Sequence, residues 1–290
     1  MSRKTPPESL FRDPDAETMG CCSVVFECSP GLIEKLPGYR VKIRDGSHLA
    51  QTQHRLKVLR ATRSGPLPGQ SLVVLDPRTM LVVDVLPRED AHAQERALLV
   101  EILPTVAPGD LGIEDRNFRT TKFVFGVAQQ QGCFLVRQHK TTLHWEAVTA
   151  WADAGRIATG AVPEQTIRLS EVVKKKVLRT LEVRRIRLVL DRPTRGQDAE
   201  IFLLTNVPAA AAPAPVVAQL YRERWTLEEV FQSLATALQT EINTLGSPKA
   251  ALFGFCVGLA ASNVLAAVRG AVRAVHGVKA EEEVSDYYLA

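Results

Sequence analysis

The sequence predicts a protein of the α/β class. Hydrophobic periodicity across residues 39–138 predicts the order strand, strand, strand, helix, strand, helix, strand. A strand-rich and basic stretch follows at residues 139–208, and an amphipathic helix is predicted at residues 220–238. The chain has 290 residues, which is enough to bury a sizeable core around such a sheet.

The composition is that of an ordinary soluble protein, with 46% hydrophobic residues, 23% charged residues and a net charge of +4. The five cysteines lack zinc-type spacing, which favours a reduced chain and a cytoplasmic location. No apolar signal core is present at the N-terminus. Residues 251–268 carry no charge and approach the length of a membrane span, but their many small side chains favour a buried core helix and no membrane partner.

Two of the predicted strands end in an aspartate. Residues 39–44 alternate between apolar and cationic side chains, which is the period of a half-buried strand, and Asp45 with the following glycine is predicted to end it. The segment LGIED at residues 111–115 predicts another short strand, which ends at Asp115. Asp84 lies in a further predicted strand and is a rival to Asp45, but Asp45 is preferred because it lies on the first strand and precedes a glycine.

The other elements of this region are bounded by turn residues. Residues 71–87 predict two strands joined by a turn at residues 76–79. Residues 92–103 predict a helix that ends before a proline. Residues 116–132 predict a turn and a helix closed by glycine, and residues 133–139 predict a strand.

The stretch at residues 168–195 carries ten Lys or Arg against three Asp or Glu. One interpretation is a solvated strand face with local ion pairs. The other is a phosphate-binding surface whose affinity for DNA falls with salt. The cations considered for DNA binding are Lys174, Lys175, Lys176, Arg184, Arg185 and Arg187.

The predicted helix at residues 220–238 carries two neighbouring stripes at about 100° per residue. The apolar stripe consists of Leu220, Leu227, Phe231, Leu234 and Leu238. The polar stripe consists of Tyr221, Arg224, Glu228 and Gln232. On the helix alone, the simpler interpretation is a surface helix whose Arg224–Glu228 pair contributes about 0.3 kcal/mol.

Three motifs together resemble the RNase H-like catalytic core of DDE transposases, specifically the insertion-sequence family four type. They are Asp45 in IRDGSHL, Asp115 in GIEDRNF and Glu228 in YRERWTLEE. The last motif matches the Tyr, Arg and Glu of the family's Tyr-x2-Arg-x3-Glu-x6-Lys signature. The resemblance covers roughly residues 39–270 and implies an RNase H-like mixed sheet flanked by helices, with a β-rich insertion before the last catalytic helix.

The resemblance implies that Asp45, Asp115 and Glu228 are catalytic and bind metal, with two Mg²⁺ (or Mn²⁺) ions expected. Such ions take carboxylate oxygens and can serve both the attacking and the leaving oxygen of a phosphodiester. Tyr221 and Arg224, the other two signature residues, are expected to contact DNA phosphate or to orient Glu228. The implied partner is DNA, both transposon ends and target, and a homodimer is considered. In this context the DNA-binding interpretation of the basic stretch is favoured.

The sequence departs from the family pattern at two places. Ala235 stands where the signature has Lys. In addition, 44 residues precede Asp45, whereas members of the family usually carry a longer N-terminal region that binds the transposon ends. Both departures fit a truncated or decaying element. The expected function is metal-dependent DNA cleavage and strand transfer, and the alternatives are an inhibitory DNA-binding remnant or an RNase H-like nuclease.

The predicted domain boundaries follow from these assignments. They are a poorly ordered segment at 1–37, the first part of the core at 38–138, the basic insertion at 139–208, the C-terminal helices of the core at 209–276 and an acidic tail at 277–290.

Overall fold

The computed structural model describes residues 35–48, 68–90, 98–138, 143–194, 197–236 and 248–283. The described strands are β1 Arg40–His48, β2 Pro68–Asp76, β3 Leu81–Asp90, β4 Asp110–Glu114, β5 Cys133–Gln138, β6 His144–Ala147, β7 Ala152–Ile157, β8 Gly160–Val173, β9 Lys176–Leu190 and β10 Glu200–Thr205. The described α-helices are α1 Leu99–Ile102, α2 Thr121–Gln129, α3 Ala214–Arg222, α4 Trp225–Thr236, α5 Pro248–His276 and α6 Val278–Glu283. Short 3₁₀ turns lie at Leu103–Thr105 and Arg116–Phe118.

The described strands form one mixed sheet in the order β3-β2-β1-β4-β5-β10-β9-β8-β6, with β7 paired to β8. The three central strands β1, β4 and β5 run parallel, and every other described pairing is antiparallel. The prediction of a mixed sheet flanked by helices is therefore confirmed. The strands of the basic insertion extend the same sheet, because β10 pairs directly with β5.

The strand β1 is longer than its sequence pattern predicted. The prediction that Asp45 and its glycine end the strand is wrong, since β1 continues to His48. The reason lies in its neighbour: β2 offers antiparallel partners as far as His48, with Asp45 opposite Val73. Ladder pairing with β2 outweighs the turn preference of the Asp-Gly pair.

The sheet buries a hydrophobic layer on each face. Successive side chains of a strand point to opposite faces. On one face, Ile43 and Ile113 pack in a cluster that includes residues of α3, α4 and α5. On the other face, Phe134 and Val136 pack in a second cluster with Phe123 of α2. The central strand β4 is buried along its whole length and β5 over its middle three residues, whereas β1 alternates apolar and cationic residues.

The helix predicted at residues 220–238 is wrong as one continuous helix. Its described part consists of the end of α3 and all of α4, separated by a turn at residues 223–224. Across this turn the amide of Arg224 donates to the Tyr221 carbonyl at 3.2 Å, a bond three residues back that tightens the chain. The apolar stripe survives the break, since Leu220 and Leu227 are both buried.

The helix α5 is longer and more exposed than predicted for residues 251–268. By length and composition, residues 249–276 could cross a membrane. Of the 18 residues in their most apolar stretch, 33% are buried. One side packs on the sheet through Phe255 and Leu259, while Phe253 and Val264 are exposed. The prediction of a buried core helix is thus correct for one face and wrong for the other, because the sheet offers this helix only one contact surface.

Candidate active site

The two aspartates of the predicted site lie side by side at the end of the parallel part of the sheet. In the pairing of β1 with β4, Arg44 lies opposite Glu114. Asp45 follows Arg44 and Asp115 follows Glu114, so the two aspartates come at the next position of neighbouring strands. Strand alternation places both on the face that α3, α4 and α5 cover. Open α/β sheets bind ligands beyond the carboxyl ends of their parallel strands, which is where this pair lies.

The rival aspartate, Asp84, lies elsewhere. It is on β3, the strand at the end of the described sheet order, where its carboxylate accepts the amide of Val85 at 2.9 Å. Two strands, β2 and β1, separate it from β4. This position makes Asp84 a poor partner for Asp115.

Glu228 approaches the strand pair through an arginine. The Nη1 atom of Arg224 donates to Asp45 Oδ2 at 3.0 Å and to Glu228 Oε1 at 2.6 Å. The Arg224 side chain is 10% exposed, whereas that of Glu228 is 53% exposed. One guanidinium nitrogen thus ties the helix carboxylate to the sheet carboxylate, and only the helix carboxylate faces solvent broadly.

The charges around this link act on each other. Burial opposes the cation, yet the pKa of Arg224 lies above its ordinary value because of Tyr221, Glu228, Asp115 and Asp45. Burial also raises the pKa of Tyr221, with Asp115 adding to the rise and Arg224 opposing it. The Tyr221 hydroxyl is therefore neutral at physiological pH. The charges of these residues are therefore coupled, and they form one electrostatic cluster: Asp45, Asp115, Tyr221, Arg224 and Glu228.

A sixth residue, Arg137, belongs to the same surface and was missed by the sequence analysis. It follows Val136, which is opposite Glu114, so it occupies the position beside Asp115 on the next parallel strand. Its guanidinium donates to Asp198 at 2.6 Å, and its charge lowers the pKa of Tyr221. Only the pairing of β4 with β5 reveals this neighbour, since the sequence shows an ordinary cation at a strand end.

A buried ion pair lies behind the two aspartates. Arg44 and Glu114 point to the opposite sheet face and join through Nη1 and Oε1 at 2.6 Å. Gly112 makes room for them, because a Cβ there would stand 1.9 Å from Glu114 Oε1 and 2.0 Å from Arg44 Nη1. Burial raises the pKa of Glu114 to about 7, and the Arg44 charge works against that rise.

The proposed metal ligands suit a divalent cation by type, because Mg²⁺ and Mn²⁺ take carboxylate oxygens. Among the described residues, no group of three or more His, Cys, Asp or Glu is arranged so that it could hold a metal ion. Asp45 and Glu228 are not arranged around a shared ion position, because Arg224 lies between them and bonds to both.

The lysine-bearing hairpin tip of the basic insertion lies away from these carboxylates. Strand pairing aligns Ile43, Ile113, Leu135, Thr205 and Arg184 in one row across the sheet. From that row β9 runs back to its hairpin tip, roughly 26 Å away at about 3.3 Å per residue. The aspartates lie beyond the row in the other direction.

The tip of that hairpin carries three exposed lysines. Lys174 and Lys175 have positive φ values of 48° and 64°, which is the conformation of a tight two-residue hairpin turn, and Lys176 begins β9. This turn lies at the sheet end opposite the aspartates. If they contact DNA, they do so far from the carboxylates.

The three predicted arginines of β9 make internal contacts. Arg184 is buried, pairs with Glu164 and donates to the carbonyls of Val207 at 3.0 Å and Ala212 at 2.7 Å. Its guanidinium thus ties the insertion to the loop that leads to α3. Of the two interpretations of the basic stretch, local ion pairing is the one that applies to Arg184.

Arg185 and Arg187 lie on the sheet face opposite the aspartates, because Arg185 is in the same row as Glu114. The Arg185 guanidinium lies 4.6 Å from the ring centre of Trp145 and 4.4 Å from that of Phe202. Burial lowers the pKa of Arg185, and the neighbouring Arg187 adds to that effect. Arg187 itself pairs with Glu200 of β10.

Comparison with known families gives the class of the protein. A family model described as transposase DDE domain matches residues 70–262, and the chain belongs to this family. Asp115 and Glu228 fall inside the matched span, and Asp45 precedes it. A search of curated proteins gave no significant match.

Membership establishes a transposase with the RNase H-like α/β fold and DNA as its partner. Transposases of the DDE class generally use divalent metal ions.

Proposed function

We propose that this transposase cleaves DNA phosphodiester bonds and transfers the freed strand, in the manner of the insertion-sequence family four. The observation that carries the proposal is the meeting of sheet and helix at one point: Asp45 and Asp115 are level on parallel strands, and Arg224 bonds Asp45 to Glu228. These are the acidic residues, in chain order, that the reaction needs.

Asp45, Asp115 and Glu228 would hold the divalent ions. When bound, such ions activate the attacking oxygen and stabilise the leaving oxygen of a phosphodiester. The two aspartates supply rigidity because their backbones belong to the centre of the sheet. Glu228 supplies an adjustable ligand, since its side chain is more than half exposed.

The cations near the carboxylates are placed to bind the substrate. Arg224 and Arg137 would contact phosphate groups, which guanidinium groups bind in a bidentate manner. The neighbouring Tyr221 has a neutral hydroxyl, and burial raises its pKa. Lys174, Lys175 and Lys176 would bind flanking DNA at a distance, and Arg184 stabilises the fold of the insertion.

The helix α5 would serve as a core helix of a cytoplasmic protein. Asn263 supports this role, since its amide accepts the Val82 N–H and donates to the Val82 carbonyl, each at 2.8 Å. Those bonds attach the helix to strand β3 along the backbone. A helix attached in this way to the sheet is part of the protein's own core.

The test is nicking of supercoiled plasmid by the full chain with Mg²⁺, comparing wild type with Glu228→Gln, Asp115→Asn and Asp45→Asn. Each substitution should lower the nicking rate by at least about a hundredfold, as expected for loss of a metal ligand. The matched control is Glu223→Gln. Glu223 lies in the turn between α3 and α4, and its carboxylate pairs with Lys35. Equal rates in wild type and Glu228→Gln would remove the assignment.

The same experiment separates the alternatives. Nicking without joining of the cut strand to a second DNA would indicate a nuclease. Gel-shift binding with no nicking in Mg²⁺ or Mn²⁺ would indicate a DNA-binding remnant. The departure at Ala235 is addressed by Ala235→Lys, which restores the family's signature cation and should tighten DNA binding.

A further inference from the structure

Arg224 holds the position of a bridging cation. One of its nitrogens, Nη1, bonds to both Asp45 and Glu228, and its side chain is 90% shielded from solvent, since 10% is exposed. A divalent ion shared by Asp45 and Glu228 would draw on the same two carboxylate groups that Arg224 binds. The guanidinium and the ion therefore compete for ligands.

The surroundings of Arg224 favour this closed arrangement when no ion is bound. Two buried or half-buried carboxylates, Asp45 and Asp115, repel each other unless a cation lies between them. Arg224 supplies that charge from the helix that also carries Glu228. A charge-assisted hydrogen bond of 2.6 Å is among the stronger links available to a side chain.

Building on the proposed function, we propose that Arg224 is a latch which keeps the carboxylates closed, and that an incoming ion must displace its guanidinium from Asp45 and Glu228. The displaced guanidinium then has a natural new partner in the DNA phosphate, which offers two acceptor oxygens. Ion binding and phosphate binding thus become linked through one side chain. The chain would bind ions weakly alone and more tightly in the presence of DNA.

The sign of one measurement distinguishes a latch from a scaffold. If Arg224 competes with the ion, its removal tightens ion binding. If Arg224 instead holds the carboxylates in place for the ion, its removal weakens binding. The measurement is Mn²⁺ affinity of the full chain without DNA, read from the free-ion electron paramagnetic resonance signal.

Arg224→Gln should bind Mn²⁺ at least about tenfold more tightly than wild type, since a hydrogen bond between charged groups is worth roughly that factor. Arg224→Lys keeps the charge on a shorter side chain that lacks the planar guanidinium, so its affinity should fall between the two. The control is Arg222→Gln, an exposed arginine of α3 that donates to Gln219, and its affinity should equal that of wild type. Circular dichroism confirms that each variant is folded.

Unchanged or weaker binding by Arg224→Gln would overturn the latch and leave the transposase assignment standing. Absence of saturable Mn²⁺ binding in every variant would overturn both. Tight binding by wild type equal to that of Arg224→Gln would likewise reject the latch, because the guanidinium would then impose no cost.

Discussion

Replacing Arg44 by methionine tests the structural basis of the site, because it removes one half of the buried pair behind the aspartates. Arg44 is 1% exposed and Glu114 is 0% exposed, so the carboxylate cannot turn to water when its partner is lost. Removing one member of a buried pair costs about 3–5 kcal/mol. We expect that loss in the free energy of unfolding at pH 8.

The pH dependence follows from the pKa of Glu114. Burial raises it to about 7 in the folded chain, above its value in the unfolded chain. A carboxyl with a raised folded pKa contributes most below its unfolded pKa, and that contribution is lost as the pH rises through about 7. Without Arg44 the pKa of Glu114 rises further. The loss from Arg44→Met should therefore be smaller at pH 5 than at pH 8, by at most about 1.4 kcal/mol.

The assay is urea unfolding of wild type, Arg44→Met, Glu114→Met and the double variant at both pH values. The double variant should recover most of the loss at pH 8, since apolar side chains replace a buried pair at little cost. A loss below about 1 kcal/mol at pH 8, or an equal loss at pH 5, would refute the idea that Arg44 compensates a buried carboxylate.

Three further predictions concern parts of the chain outside that pair. Asn263→Ala should lower the free energy of unfolding by about 1–3 kcal/mol, because two backbone groups of β3 lose their partner, and thermal unfolding measures it. Replacing Lys174, Lys175 and Lys176 together by Gln should lower the salt slope of DNA binding by about 2–3 in a filter-binding titration, and an unchanged slope would remove the hairpin tip from the DNA interface. Arg137→Gln should weaken DNA binding in the same titration with little change in unfolding free energy, whereas equal affinity would show that its pairing with Asp198 is its whole role.

The sequence predicted the sheet well where local patterns determine it. Alternation and apolar runs predicted β1 and β4, and turn residues at 76–79 predicted the β2–β3 hairpin. The parallel pairing of β1 with β4, which makes Asp45 and Asp115 neighbours, is long-range and came only through the family resemblance. Periodicity contains no information about which strands pair.

The charged residues show the limit more sharply. Arg184 and Lys175 are both cations in a basic stretch, yet one is buried against Glu164 and the other lies at an exposed turn. Their difference depends on cross-strand partners many residues away. Arg137 escaped notice for the same reason, because its closeness to Asp115 exists only once β5 lies beside β4.

The central claim is that Asp45, Asp115 and Glu228 bind the same ions. Iron(II) bound at such a site, with ascorbate and peroxide, cuts the polypeptide close to its ligands, and the fragments can be located by mass spectrometry. The account predicts cuts near all three residues, which excess Mg²⁺ suppresses together. Cuts near one residue alone, or cuts that Mg²⁺ leaves unchanged, would contradict it.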